Sequence, residues 1–256
     1  MNKFAKYFYT ISVYIFLYLP IAIVIIFSFN NAQHSLVWQG FTFAWYASLL
    51  HDSALLQVAW HSLILGILAA TSATVIGTLI AVSLFRYRFF GKKILHALIF
   101  ILILSPEIVM AIALLLMYSF LKIPLGFWTL LLAHTSLCIP FVAVTVYSRI
   151  ITFDIDIFEA AMDLGATDFT IFQKIIVPLL IPAIASGWLL SFTLSLDDVI
   201  ISYFVSGPTF GILPLKIYSM VRLGVKPEVN ALCTLLLAFT LFVVIISYHS
   251  IFKKKD

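Results

Sequence analysis

Long apolar runs alternate along this chain with short polar stretches. Each run has about 20 residues or more, the length that a helix needs to cross roughly 30 Å of hydrocarbon. None shows the period-2 alternation of a barrel strand, and backbone groups in lipid must be paired within their own segment, so each run is predicted to be a helix. The six predicted spans cover residues 8–29, 58–84, 95–121, 127–148, 176–204 and 229–251.

Composition supports an all-α, polytopic membrane protein. The chain is 63% hydrophobic and 10% charged, with a mean hydropathy of +1.15, whereas a soluble domain carries about 25% charged residues. Such a chain has too little polar surface to be a soluble globule. We expect a single transmembrane domain over 1–256, with two longer polar loops, loop L1 (149–175) and loop L2 (205–228).

The basic residues predict how the chain lies in the membrane. Lys3 and Lys6 precede the first run as in a signal peptide, but this run is too long and lacks a small-x-small cleavage site, so we expect a permanent span. Eleven of the fifteen Lys and Arg residues lie on the side of the two termini. The positive-inside rule therefore puts both termini in the cytoplasm, and an even number of spans agrees.

Several functional classes are disfavoured by what the sequence lacks. The basic residues stand in short clusters with no nucleic-acid-binding motif, so no nucleic-acid partner is expected. Cys138 and Cys233 lie inside predicted spans, which favours simple packing over a disulfide or a thiol-metal site. The six histidines have no metal-ligand spacing, and no nucleophile-base constellation predicts catalytic residues.

Loop L1 carries the signals of a short helix. Asp156 is the predicted N-cap, Glu159 completes a capping box, and Gly165 can end the helix in the left-handed conformation. Thr167 or Asp168 is then expected to cap a second helix. The first helix would present one face made of Ile157, Ala161 and Leu164. From these residues alone, L1 is either an amphipathic loop lying on lipid or a docking element for a partner.

Loop L2 contains a second short helix, bracketed by Pro214 at its start and Gly224 at its end. Loop L2 has three basic residues, which depart from the positive-inside tendency of an outer loop. Attachment to a soluble partner and anchoring at the membrane interface are equally compatible with this composition.

Three acids lie inside predicted spans: Glu107 in the third run, and Asp197 and Asp198 in the fifth. A charged side chain in hydrocarbon costs at least about 2.5 kcal/mol, so we expect these acids to face a substrate pathway. The alternatives are that the aspartates cap a helix break or sit in interfacial water, and that Glu107 pairs locally beside Pro106. Adjacent helical residues point about 100° apart, so only one aspartate is expected to line the pathway, and the sequence does not decide which.

A family resemblance gives loop L1 a role. The string Glu159-Ala160-Ala161-x-x-x-Gly165-Ala166, followed by Ile175-x-Val177-Pro178 and Pro182, resembles the EAA loop of permease subunits in bacterial ATP-binding-cassette (ABC) importers. The sequence departs from the pattern in one place, with Val177 where leucine is usual. The resemblance implies that L1 forms the coupling helix, which sits in a groove of the ATPase subunit. The implied contact residues are Glu159, Ala160, Ala161, Gly165 and Ala166.

A closer resemblance covers most of the chain. SPEIVMAIALLLM (105–117), SLDDVIISYFVSGP (195–208) and ILPLKIYSMVRLGVKPEVNAL (212–232) look like second permease subunits of polyamine (spermidine/putrescine) importers. The resemblance implies the type I importer permease fold in the bacterial inner membrane. It also implies a sister permease, a periplasmic polyamine-binding protein, and two cytoplasmic ATPase subunits that hold ATP and Mg²⁺. This chain would bind no cofactor itself, and it lacks a GxxxxGK[ST] phosphate loop.

A polyamine substrate would explain the acids, since ammonium groups need acidic partners and also sit on aromatic faces. Tyr118, Tyr203 and Phe204 are the candidate aromatics, although such rings also belong to interfacial belts. One alternative is the same architecture for another solute, with anions disfavoured by the acids. A second alternative is an ion-coupled carrier or channel subunit that works without ATP, but it would leave the EAA loop unexplained.

Overall fold

The computed structural model describes residues 3–32, 37–154, 156–224 and 226–252, with side chains between residues 6 and 245 of these ranges. Within them the chain is helical, and the pairing of Asn30 with Phe41 is an isolated β-bridge. The helices are α1 (Lys3–Phe27), α2 (Ala44–His51), α3 (Ser53–Arg86), α4 (Lys92–Leu104), α5 (Glu107–Phe120), α6 (Phe127–Ile150), α7 (Asp156–Asp163), α8 (Asp168–Ile171), α9 (Val177–Asp197), α10 (Ile200–Val205), α11 (Leu213–Arg222) and α12 (Pro227–Phe252). A π-helical segment, Phe172–Ile176, joins α8 to α9.

The described helices confirm the all-α, membrane-spanning prediction. Five stretches are long and apolar enough to cross a membrane: Lys6–Phe27, Ser53–Arg86, Phe127–Ile150, Asp168–Asp197 and Pro227–Ile245. Helices α4 and α5 make a sixth span if they are counted together, although they are bent by 111° at the break between them.

This bend corrects the prediction of one helix over 95–121. Ser105 has an extended backbone with ψ 135°, and Pro106 follows with ψ 130°, so α4 ends at Leu104 and α5 begins at Glu107. Proline has no amide hydrogen to donate and disfavours the helical conformation in the residue before it. The physical cause of the break is therefore present in the sequence.

The fifth predicted run, 176–204, is also not one helix. The helical stretch starts earlier, at Asp168, and ends at Asp197. Asp198 has ψ 120°, and α10 then begins as a separate short helix at Ile200.

The short helix predicted in loop L2 is confirmed, since α11 covers Leu213–Arg222 and Gly224 follows with φ +122°.

The backbone forms two compact units, Met1–Ala59 with Leu215–Ile245, and Trp60–Pro214 with Ile246–Asp256. In the first unit, buried Asn30 organises the segment after α1: its side chain donates to Val37 O (2.8 Å) and accepts from Gln39 N (2.9 Å). Its carbonyl accepts from Trp45 Nε1 (2.8 Å). Helix α1 is exposed along residues 6–23, as expected of a helix that faces lipid or another subunit.

The second unit is built around α6, which packs mainly on α9 and also contacts α4 and α10. Val142 of α6 sits between two glycines on neighbouring helices. A Cβ added to Gly77 would lie 2.7 Å from Val142 Cβ, and one added to Gly187 would lie 3.3 Å from Val142 Cγ1. Small residues allow this close approach of helices, which is a common device in membrane proteins.

Candidate functional site: loop L1 and the acidic helix break

Loop L1 folds as predicted around Gly165. Helix α7 runs from Asp156 to Asp163, and Gly165 follows with φ +81°. Gly165 N donates to Met162 O (2.8 Å), and Ala166 N donates to Ala161 O (3.0 Å). These two bonds are the Schellman pattern, in which a left-handed residue satisfies the last carbonyls of a helix.

The start of α7 differs from the prediction. Asp156 is the first helical residue instead of the N-cap, and its N–H donates to Asp154 Oδ1 (3.1 Å). Of the two residues predicted as possible caps of the second helix, Thr167 is the one observed. Its Oγ1 accepts a hydrogen bond from Thr170 N (3.3 Å) at the start of α8. Asp168 is then the first residue of α8.

Helix α7 has one face on the protein and one face that is open. Phe158 is buried and packs edge to face on Phe85, with ring centroids 5.9 Å apart. Ala161 and Ala166 are half-buried and pack against the buried hydrophobic cluster that contains Phe158. The predicted face of Ile157, Ala161 and Leu164 is therefore not a single surface, because Ala161 packs on the protein while Ile157 and Leu164 are exposed. The exposed residues of α7 and its C-terminal end are Asp156, Ile157, Glu159, Ala160, Met162, Asp163, Leu164 and Gly165. Of the five predicted coupling residues, three are therefore accessible in this chain.

From loop L1, one helical stretch leads to the acids. It runs from Asp168 through the π-helical segment to Asp197. In the π segment, Val177 N bonds to Phe172 O, five residues back. The helical stretch that begins in loop L1 thus ends at the helix break of Asp197, Asp198 and Val199, which we call the acidic break.

Asp198 is buried in the acidic break and its oxygens are occupied by the protein. Oδ1 accepts from Ile201 N (3.1 Å), and Oδ2 accepts from Ser202 N (2.8 Å) and Ser202 Oγ (2.7 Å). This carboxylate caps the N-terminus of α10, where the helix dipole also favours a negative charge. Asp197, in contrast, is exposed as the last residue of α9.

His134 completes this buried network. It is fully buried, with Nδ1 2.7 Å from Ser195 Oγ and Nε2 2.9 Å from Ser202 Oγ. Nε2 also lies 3.5 Å from Asp198 Oδ2. A polar ring inside an apolar helix is the same signal that singled out the acids, and it could have identified His134.

The other candidate pathway residues differ in accessibility. Glu107 is exposed at the start of α5 and forms no ion pair within the described residues. Tyr203 is 58% exposed on α10, with its ring 5.7 Å from half-buried Phe204. Tyr118 is buried and donates from its hydroxyl to Thr129 O (3.2 Å). Since α5 packs against α10, the structure brings together the helices of Glu107 and Tyr203.

Comparison with known proteins identifies the family of this chain. Residues 63–255 match the model described as "Binding-protein-dependent transport system inner membrane component". The spermidine/putrescine transport system permease protein PotC of Escherichia coli (strain K12) is 56% identical over 236 residues, covering 92% of this chain and 89% of the relative. PotC of Haemophilus influenzae is 51% identical, covering 92% and 91%. The putrescine transport system permease protein PotI of Escherichia coli (strain K12) is 44% identical, covering 87% and 82%.

Solved structures agree in fold. A chain of a bacterial alginate ABC transporter, in complex with an alginate pentasaccharide-bound periplasmic protein, aligns with a TM-score of 0.78 at 17% identity, over 99% of this chain and 94% of that chain. A chain of an amino acid ABC transporter aligns with a TM-score of 0.63 at 18% identity, over 84% and 100%. The fold is that of type I ABC importer permeases. The matched length and the identity to full-length relatives show that the chain belongs to the family of inner membrane components of binding-protein-dependent transport systems.

Proposed function

We propose that this chain is the membrane-spanning permease subunit of an ATP-driven importer that moves polyamines, spermidine or putrescine, across the inner membrane into the cytoplasm. The observation that carries the proposal is the 56% identity, over 92% of the chain, to a spermidine/putrescine permease. The chain itself catalyses no reaction, and its functional residues line a pathway or transmit motion.

The accessible acids supply the chemistry that a polyamine needs. Asp197 and Glu107 are exposed carboxylates at helix ends, and Tyr203 is an exposed ring on α10. Ammonium groups bind carboxylates and the faces of aromatic rings. We assign the direct pathway contacts to these three residues. Asp198 contributes to the same site by fixing the start of α10, on which Phe204 also lies, and Tyr118 is buried on α5, which packs against α10.

Loop L1 is proposed to dock on the ATPase through its open residues Glu159, Ala160 and Gly165. Ala161 and Ala166 contribute from the inner side by seating α7 on the protein. ATP and Mg²⁺ are held by the ATPase partner. The capped, short helix suits this role because a rigid element passes on a rigid-body displacement.

The full machine would contain this chain, a sister permease, two ATPase subunits and a periplasmic polyamine-binding protein. Both termini of the chain would lie in the cytoplasm. The loaded binding protein docks outside, ATP binding brings the ATPase subunits together, and α7 moves the permease toward an outward-open state. Hydrolysis then returns it to the inward-open state.

The test is uptake of labelled spermidine into proteoliposomes that contain this chain with its partners and binding protein, with and without ATP on the ATPase side. ATP-dependent accumulation is expected. ATP-dependent transport of other solutes only would remove the polyamine assignment, and spermidine flux without ATP would contradict the importer itself.

A further inference from the structure

Two residues at the end of α3, which lies outside loop L1, contact helix α7. Phe85 packs on Phe158, and the next residue, Arg86, places Nη2 3.4 Å from Met162 Sδ. Phe158 and Met162 are four residues apart, so they lie one turn apart on the same side of α7. Two successive residues of α3 thus contact two successive turns of α7.

Arg86 also joins α3 to α8. Its guanidinium forms an ion pair with Asp168, in which Nε donates to Oδ1 at 3.2 Å and Nη2 donates to the same oxygen. A planar guanidinium that makes two such bonds is fixed in direction as well as position. One side chain therefore touches both helices of loop L1.

The exposure of this ion pair indicates a geometric role more than a stabilising one. The Arg86 side chain is only 15% exposed, while that of Asp168 is 59% exposed. Exposed or half-exposed ion pairs contribute little to folding stability. An arginine at the end of a spanning helix would also normally extend its charge into water, whereas this one turns onto the loop.

The π-helical segment separates this fastened region from the rest of α9. Asp168 lies before Phe172–Ile176, and the α-helical part of α9 starts after it at Val177. Wider π turns interrupt the regular bonding of a helix and are frequent where helices change direction. The polar contacts of Arg86 with Met162 and Asp168 lie on the loop side of this interruption.

We propose that Arg86 is a positioning residue that fastens loop L1 to α3. When the ATPase displaces α7, α3 moves together with α7 and α8, and the π segment is the flexible joint through which α9 follows. The inference rests on the proposed docking of loop L1 on an ATPase. It names α3, besides α9, as an element that receives the motion.

The experiment uses the complete complex in proteoliposomes and measures polyamine uptake per ATP hydrolysed. Arg86→Gln, Arg86→Asp and Asp168→Arg each break the ion pair, and the exchange variant Arg86→Asp/Asp168→Arg restores it with reversed charges. Arg88→Gln removes the same charge two residues away, from an exposed side chain that forms no ion pair in the described part of the chain. It is the matched control.

We expect each single variant to lower uptake per ATP by roughly two- to thirtyfold, the range for single positions that carry coupling. The exchange variant should recover most of this loss, Arg86→Lys should be intermediate, and Arg88→Gln should behave as wild type. If a single variant fails to assemble, its recovery in the exchange variant also supports the proposal.

Unchanged uptake per ATP in Arg86→Gln would overturn the proposal, and so would an exchange variant no better than the single ones. A wild-type complex without ATP-dependent uptake would overturn the proposed function as well. The two failures are therefore distinguishable.

Discussion

Two neighbouring carboxylates have different surroundings in the acidic break. Asp198 is buried and accepts three hydrogen bonds from α10, while Asp197 is exposed. Both are aspartates at neighbouring positions of one apolar run, so the sequence could not separate them. The separation comes from the end of α9, which turns one side chain into the protein and leaves the other open.

Neutralising these residues should therefore give different defects. Asp197→Asn should lower polyamine uptake roughly tenfold or more, because a charged contact worth about 1.5–3 kcal/mol is lost, while the amount of folded protein stays the same.

Asp198→Asn should lower thermal stability in detergent, because the buried N–H groups of α10 lose their charged acceptor. Normal stability in Asp198→Asn would contradict its role as a cap.

Gly165 offers a second residue-scale test. A side chain there has open space but must adopt a φ of +81°, which costs about 1–2 kcal/mol. Gly165→Ala should loosen the end of α7 and reduce ATP-coupled uptake. Gly91→Ala is the control, since Gly91 has a φ of +90° and equally open space but lies outside loop L1. Equal effects on uptake in the two variants would remove the special role of Gly165.

At the scale of elements, two features connect loop L1 to the spans. The stretch Asp168–Asp197 reaches from the loop to the acidic break, and α6 supports its α9 part through close packing. Val142 is central to that packing, because it fits between Gly77 of α3 and Gly187 of α9. The two helices that we propose to carry motion, α3 and α9, thus meet α6 at the side chain of Val142.

Gly77→Ala should destabilise this meeting point by about 1–3 kcal/mol, as overpacking of a filled core does. Its new Cβ would lie 2.7 Å from Val142 Cβ and 3.1 Å from the backbone of Ala143. Thermal unfolding in detergent measures the effect, and adding Val142→Ala should recover part of it. Gly66→Ala is the control, because its Cβ would meet only the Phe192 side chain, at 3.2 Å, and Leu196. A loss in Gly66→Ala as large as in Gly77→Ala would contradict the packing explanation.

For the whole molecule, the distribution of charge predicts topology. Eleven of the fifteen basic residues lie on the predicted side of the termini, and the six predicted spans would return the chain to that side. Family membership places the protein in the inner membrane.

Reporter fusions test this orientation. A reporter that is active only in the cytoplasm should be active at both termini and in loop L1, and inactive when inserted in loop L2. The insertion in loop L2 serves as the internal control for reporter export. Activity in L2, or its absence at either terminus, would contradict the predicted orientation.

The all-α membrane class, the apolar spans, the end of α7 at Gly165 and the short helix in loop L2 could be predicted without the structure, because they depend on local composition, length and backbone preference. The proline that breaks the third run was also visible in the sequence, although that break was not predicted. Three features depend on long-range packing instead: which aspartate is buried, the contact of His134 with it, and the ion pair that joins Arg86 to Asp168 across 82 positions of sequence. These contacts depend on which side chains the packing of neighbouring helices brings together, and the local sequence pattern does not specify that packing.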